Sequence, residues 1–239
     1  MGQIFHHSDF EDILKSHGIE LSEEQLKQFK DYAELLQEWN KKMNLTAIDD
    51  LDGIYEKHFL DSVLPSFDLT FKGKICDVGA GAGFPSIPLK ICNPDLEVTI
   101  VEPLGKRITF LKELVHCLGI HDVKLCNERS EDHALKHREE YDVVIARAVA
   151  NLTMLSELCI PLVKKNGIFF AMKGDKGLSE YQEAKYAVEL LGCKLSNEYE
   201  KTLIDGSKRI NLVFTKIKAT PSKYPRSFAM IKKNPLERR

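Results

Sequence analysis

The chain has 239 residues, enough for one well-buried domain and an appendage, with 43% hydrophobic and 29% charged residues. No apolar run reaches the ~18 residues of a membrane span, and Asp9, Glu11 and Asp12 interrupt the start, so no signal peptide or membrane anchor is expected. A net charge of −2 names no partner, and six cysteines without a C-x-x-C pair read as reduced core residues of a cytoplasmic protein that holds no metal.

Residues 1–70 read as a helical extension. Ser8-x-x-Glu11 and Ser22-x-x-Gln25 have the capping-box pattern. The second opens a long helix with Leu26, Phe29, Leu36 and Trp39 on one face, ending in the Asn- and Thr-containing stretch Trp39–Thr46. A third helix is expected over Tyr55–Val63, before Pro65, with His58 and Asp61 three apart and able to share a hydrogen bond. His6-His7 reads as frayed chain.

From Phe71 the pattern alternates strand and helix. Lys74–Val78 is a strand, and glycines at 79, 81 and 83 follow before an apolar helix in which Pro85 or Pro88 suits the first turn. Glycine permits positive φ and lets a bound molecule lie against the backbone, so Gly79, Gly81 and Gly83 read as a cofactor cradle. A nicotinamide fingerprint would need G-x-G-x-x-G; here Phe84 stands where that third glycine belongs. With Asp77 on the strand, the acidic-x-Gly-x-Gly-x-Gly pattern resembles the first motif of S-adenosylmethionine (SAM)-dependent methyltransferases. SAM lacks a pyrophosphate and carries a cationic end, so it needs close backbone approach and carboxylates more than an anion nest.

Leu96–Val101 is a second strand ending in Glu102, placed to accept from two ribose hydroxyls. Leu104–Arg107 leads into a helix with Ile108, Leu111, Val115 and Leu118 inward and Gly119 as its stop. Val123–Cys126 reads as the third strand. Tyr141–Ala146 is the fourth and delivers Arg147 to its carboxyl end, where such sheets bind ligands. A helix after Asn151 is expected to end at Lys164-Lys165. Ile168–Met172, the fifth strand, presents Lys173-Gly174 at the same edge. Ser179-x-x-Gln182 reads as the cap of a helix running to Gly192. Strands over Lys194–Tyr199 and Arg209–Thr215 follow without a helix between them, which makes one antiparallel. Ala219–Pro225 has linker composition, and from Lys216 onward eight Lys or Arg face one acid, Glu237, a distribution suited to phosphate contact.

The fold class is therefore α/β: a Rossmann-like methyltransferase sheet of seven mostly parallel strands at 71–219, after the helical extension 1–70 and before a basic tail 220–239. Trp39–Thr46, His58–Ser62, Asp77–Pro85, Gly105–Arg107 and Ala146–Ala148 together resemble the RsmG family, also called glucose-inhibited division protein B, over about residues 20–220. That resemblance implies methyl transfer from SAM to N7 of a guanine in bacterial 16S ribosomal RNA, on naked RNA or a small-subunit particle. It also implies that Gly79, Phe84, Ser130, Glu131 and Arg147 contact the cofactor. Tyr224-Pro-Arg226 matches the family's tail; Ser227–Ile231 does not. Arg107, Arg147, Lys173, Lys223 and Arg226 are the candidate RNA contacts.

Elimination among chemistries points the same way. Arg147-Ala-Val stands where amino-nitrogen methylation of nucleic acids uses Asp or Asn before Pro-Pro-aromatic. Cys159, in an apolar helix, suits pyrimidine C5 chemistry poorly. Ribose methylation needs a general base. Guanine N7 has a lone pair and no proton, so alignment and desolvation suffice, and no catalytic residue is named. The alternatives are a methyltransferase of a small molecule or protein, and a non-catalytic RNA-binding assembly factor.

Overall fold

The structure is a computed structural model and describes residues 4–147 and 149–237. Ala148, in the strand-four motif, and Arg238-Arg239, in the tail, lie outside the described residues.

Seven strands form one sheet in the order β3-β2-β1-β4-β5-β7-β6: β1 (Lys74–Val78), β2 (Glu97–Val101), β3 (Val123–Cys126), β4 (Tyr141–Arg147), β5 (Val163–Lys173), β6 (Cys193–Thr202) and β7 (Lys208–Lys216). β1 to β5 pair in parallel, and β7 runs antiparallel to both β5 and β6. The parallel strands are buried on both faces by crossing helices, which explains runs such as Val143–Ala146. Chain connections leave β1 and β4 in opposite directions, opening a crevice at their carboxyl ends. Because β7 is reversed, its beginning shares that edge: Ile210 pairs with Lys173.

The helices on one face come from α1 (Asp9–Ser16) and α2 (Glu23–Met43), with α5 (Ser86–Cys92) and α6 (Gly105–Cys117). Phe10, Phe29, Tyr32 and Leu36 share one apolar core with Ile87, Leu111, Ile145 and Phe170. Ser22 caps α2 as a complete capping box, and Asn44 closes it in the left-handed region at φ 47°. The other face carries α7 (Ser130–Lys136), α8 (Leu152–Cys159) and α9 (Gly177–Leu191) over a core of Cys76, Val144, Leu155, Phe169 and Val188.

Several local expectations are corrected. Ser8 is already helical in φ and ψ, so its hydroxyl caps nothing. The third helix begins earlier, as α3 (Leu51–Ile54) capped by Asp50, and widens into a π-helical turn (Tyr55–Leu60). It continues as α4 (Asp61–Val63) and ends in a 3₁₀ turn that includes Pro65. Pro65 fits because a first helical turn needs no donor there. Lys164 and Lys165 lie in β5, and Lys164 pairs with Asp142. α9 starts at Gly177, and Ser179 donates to the Lys176 carbonyl instead of capping. His7 is held by Asp52 through its backbone N–H and its ring.

Ala219–Pro225 is no loose linker. The guanidinium of Arg138 donates to the carbonyls of Thr220, Pro221 and Tyr224. Thr220 and Tyr224 are buried, and α10 (Phe228–Lys233) buries Ile231 against α8. Two cations of the basic segment are internal: Lys216 donates to the carbonyls of Ile160 and Val163, and Arg226 makes a two-pronged pair with Glu157.

Candidate functional site

At the carboxyl end of β1 the backbone turns through three left-handed glycines, Gly79 (φ 74°), Gly81 (φ 62°) and Gly83 (φ 100°). They differ in purpose. A side chain at Gly83 would meet the Tyr32 hydroxyl at 2.7 Å and Ile87 at 2.9 Å, so that glycine serves packing. A side chain at Gly79 would meet Val149 at 2.8 Å. At Gly81 the nearest atom is an Arg107 guanidinium nitrogen at 4.0 Å, so its backbone faces open space. The Tyr32 hydroxyl donates to the Ala82 carbonyl at 2.5 Å and fixes the turn from the N-terminal helices.

Glu102 faces this turn from the end of β2. It is 1% exposed and accepts from the N–H groups of Gly81 (3.1 Å) and Leu104 (3.0 Å), with Arg107 at 3.4 Å. Asn127, after β3, donates to the carbonyls of Glu102 and Pro103 and braces the same loop. Asp77 is buried beneath the turn, where one carboxylate oxygen accepts from the Ser86 N–H and the other has no protein partner. Burial raises its pKa to about 7, against the opposing pull of Ser86 and Arg147. Ser130 and Glu131 open α7 and are both buried; the Ser130 hydroxyl donates to the Leu158 carbonyl.

Across the crevice, a cleft of about 700 Å³ opens at the ends of β4 and β5, lined among others by Lys57, His58, Asp61, Arg147, Lys173 and Arg209. Val149 lines it too, so the glycine turn and the cleft meet at that side chain. A depression of about 400 Å³ at the opposite, amino-terminal edge, lined by Lys74, Glu97 and Lys124, lies away from both.

The cleft is built from crossed ion pairs. Asp61, 4% exposed, accepts from Arg147 at 3.0 Å and from Arg209 at 2.7 Å. Arg147 also donates to the Lys57 carbonyl at 3.2 Å, within the π-helical turn, and lies over the Phe84 ring. His58 and Asp61 do not bond to each other, contrary to expectation; both converge on Arg147. His58 stacks on Phe84, which stacks on Tyr32, and its Nε2 lies 2.7 Å from the Thr46 hydroxyl. Burial, then the Arg147 charge, pushes the His58 pKa down to about 3, so the ring is neutral. Lys173 is held at 2.8 Å by Glu180 and donates to the Ala150 carbonyl.

Of the residues the sequence nominates, Gly79, Gly81, Glu102 and Arg107 gather at the turn, with Ser130 and Glu131 at the start of α7. Arg147 and Lys173 stand in the cleft. Phe84 is buried, its ring stacked between Tyr32 and His58 and lying under Arg147. Lys223 is exposed beside Tyr224, and Arg226 is committed to Glu157 of α8. Sequence reasoning misses Arg209, Lys57, Tyr32 and Val149. Arg209 carried a signal: it begins the one reversed strand, so it shares an edge with the ends of the parallel strands.

The chain matches the GidB family, described as rRNA small subunit methyltransferase G, over residues 25–210. The ribosomal RNA small subunit methyltransferase G of Lysinibacillus sphaericus (strain C3-41) is 54% identical over 95% of this chain and 98% of its own length. Its counterpart from Listeria monocytogenes serotype 4b (strain F2365) is 51% identical over the same shares. Among solved structures, M. jannaschii TYW2 in complex with AdoMet superposes with a TM-score of 0.55 at 17% identity, over 72% of this chain and 80% of that one. A 16S rRNA (adenine(1408)-N(1))-methyltransferase variant with cosubstrate SAM from Catenulisporales acidiphilia gives 0.51 at 12% identity, over 62% and 86%. These two likenesses show the fold.

Proposed function

The chain belongs to the rRNA small subunit methyltransferase G family, and from that premise we propose that it transfers a methyl group from SAM to N7 of a guanine in bacterial 16S ribosomal RNA, acting in the cytoplasm. The residues present suit the cofactor: an open backbone at Gly81 beside a buried carboxylate is what an adenosyl group with a cationic tail requires. Gly79, Gly81 and the Phe84 backbone would line it, Glu102 would accept from its ribose, and Ser130 and Glu131 would flank its base. When bound, SAM supplies an electrophilic methyl on a positively charged sulfur.

One observation carries the choice of N7. Every ionisable group named in the cleft is already engaged: Lys57 by Asp205, Asp61 by two arginines, Lys173 and Glu180 by each other, and His58 by Thr46 and Arg147. None is poised to remove a proton, and guanine N7 asks for no such removal. The cleft's work is to seat the base and exclude water, with its cations favouring the electronegative N7/O6 edge. Arg107 and Lys223 would meet phosphate, whereas Arg226 and Lys173 act as internal braces. In this reading 1–70 is the helical extension that completes the cleft, 71–219 the methyltransferase domain, and 220–239 a basic tail whose helix α10 packs on α8.

The test is a reconstituted reaction of the full chain with methyl-labelled SAM and either naked 16S rRNA or small-subunit particles. Label should enter RNA at a position that becomes cleavable after borohydride and aniline, the signature of N7-methylguanine. Label in protein or small molecules alone would overturn the reading.

A further inference from the structure

On the far side of Glu102 from the cleft, the end of β3 and the start of α7 bring together three potential ligands of different chemistry. The Cys126 sulfur, a Glu128 carboxylate oxygen and a His133 ring nitrogen lie within 4.8 Å of one another. In sequence they read only as Cys-x-Glu followed five residues later by His, a spacing that matches no familiar metal-binding motif. Folding brings them together because β3 ends at Cys126 and α7 turns His133 back toward it.

The surroundings are already arranged as an outer shell. His133 is fully buried, with Nδ1 2.7 Å from Glu128 Oε1 and Nε2 2.7 Å from the Tyr141 hydroxyl. The Glu128 carboxylate can only accept, so Nδ1–H donates to its Oε1 and Nε2 accepts from the Tyr141 hydroxyl. A metal ion would take the place of that Nδ1 proton, which moves to Nε2, where the Tyr141 oxygen accepts it as the outer partner that orients a ligand imidazole. Glu128 Oε2 is held by Lys136 at 2.7 Å, which leaves Oε1 on the side of the imidazole.

We propose that Cys126 Sγ, Glu128 Oε1 and His133 Nδ1 form a binding site for one zinc ion, with water completing the tetrahedron. Thiolate, imidazole and carboxylate together suit zinc, whereas calcium and magnesium prefer oxygen alone. A tetrahedral zinc ion keeps its ligand atoms roughly 3.2–3.7 Å apart. Glu128 and His133, 2.7 Å apart, must therefore separate slightly, and Cys126 must close in from within 4.8 Å. The Cys126 proton leaves to solvent as the zinc–sulfur bond forms, with no change of oxidation state. The site adjoins the cradle: the Cys126 carbonyl accepts from the Glu102 N–H at 3.0 Å, and Asn127 braces the Glu102 loop. Zinc here would tie the β3–α7 loop to the strand that carries Glu102.

The experiment uses the full-length chain, stripped with a chelator and then titrated with zinc chloride by calorimetry. One ion per chain is expected, and cobalt in its place should show a thiolate-to-cobalt charge-transfer band. In Cys126→Ser both signals should vanish, whereas Cys117→Ser, at an exposed thiol, should keep them. A readout that needs no variant is alkylation followed by mass mapping. Zinc should slow modification of Cys126 by at least about tenfold while leaving Cys117 unchanged, because the metal occupies the nucleophilic thiolate. No binding, binding that survives Cys126→Ser, or equal protection of both thiols would overturn the site.

Discussion

The two halves of the crevice solve different problems with different materials. The half beside β1 and β2 is made of backbone: a glycine turn with open space at Gly81 and a single carboxylate, Glu102, facing it. The half beside β4, β5 and β7 is made of side chains locked together, with Asp61 between Arg147 and Arg209 and a ring stack running from Tyr32 through Phe84 to His58. The first half leaves room for a ligand. The second sets a rigid, charged wall against which a base can be desolvated. Phe84 joins them, since it follows the glycine turn and packs under Arg147.

The largest effect should come from Asp61→Ala. It leaves two arginines without their buried partner, a class of change that costs about 3–5 kcal/mol. Urea unfolding should show this as a lower midpoint at unchanged slope, while SAM affinity of the folded protein stays nearly constant. Equal damage to both would erase the distinction between the halves. Arg147→Ala should lower the methyl-transfer rate on ribosomal RNA by roughly 100-fold, as misplacement in a positioned site does; unchanged turnover would count against the wall.

Glu102→Gln strikes the other half. It should weaken SAM binding by about 2 kcal/mol, roughly 30-fold in Kd by calorimetry, with less effect on unfolding in the absence of SAM. An unchanged Kd would mean that the carboxylate faces no ligand.

A fourth test titrates the buried acid. The pKa of Asp77 is raised to about 7 in the folded chain from an ordinary 3.8, so between these values the folded state holds a proton that the unfolded state has lost. Stability is therefore fully present below about pH 4 and declines as pH rises toward 7, by at most about 1.4 kcal/mol per pH unit from this group. Asp77→Asn should remove that slope from the pH dependence of urea unfolding; identical slopes would contradict the assignment.

The smallest effect belongs to the joint. Tyr32→Phe deletes one hydrogen bond to the Ala82 carbonyl and should cost about 1 kcal/mol, divided between stability and SAM affinity. A loss confined to stability would show that Tyr32 supports the core without shaping the turn.

What the sequence reveals follows the same division. The cradle is legible because its residues are contiguous: a strand, three glycines, then an acid at the end of the next strand. The cleft is not, because Asp61, Arg147 and Arg209 are brought together only by sheet order and by the reversal of β7. Caps are legible only where the backbone enters the helix extended, as at Ser22; Ser8 has the same pattern and is itself helical. Composition misleads at the tail, since charge counts do not show that Lys216 and Arg226 point inward at carbonyls and at Glu157.

The most direct measurement is mass mapping of 16S ribosomal RNA from cells with and without the protein. One guanine should carry a methyl on N7 when the protein is present and none when it is absent, restored by the intact chain and not by Glu102→Gln at limiting SAM. Identical methylation in both RNAs, or a lost methyl on a ribose or an exocyclic nitrogen, would contradict the proposed reaction.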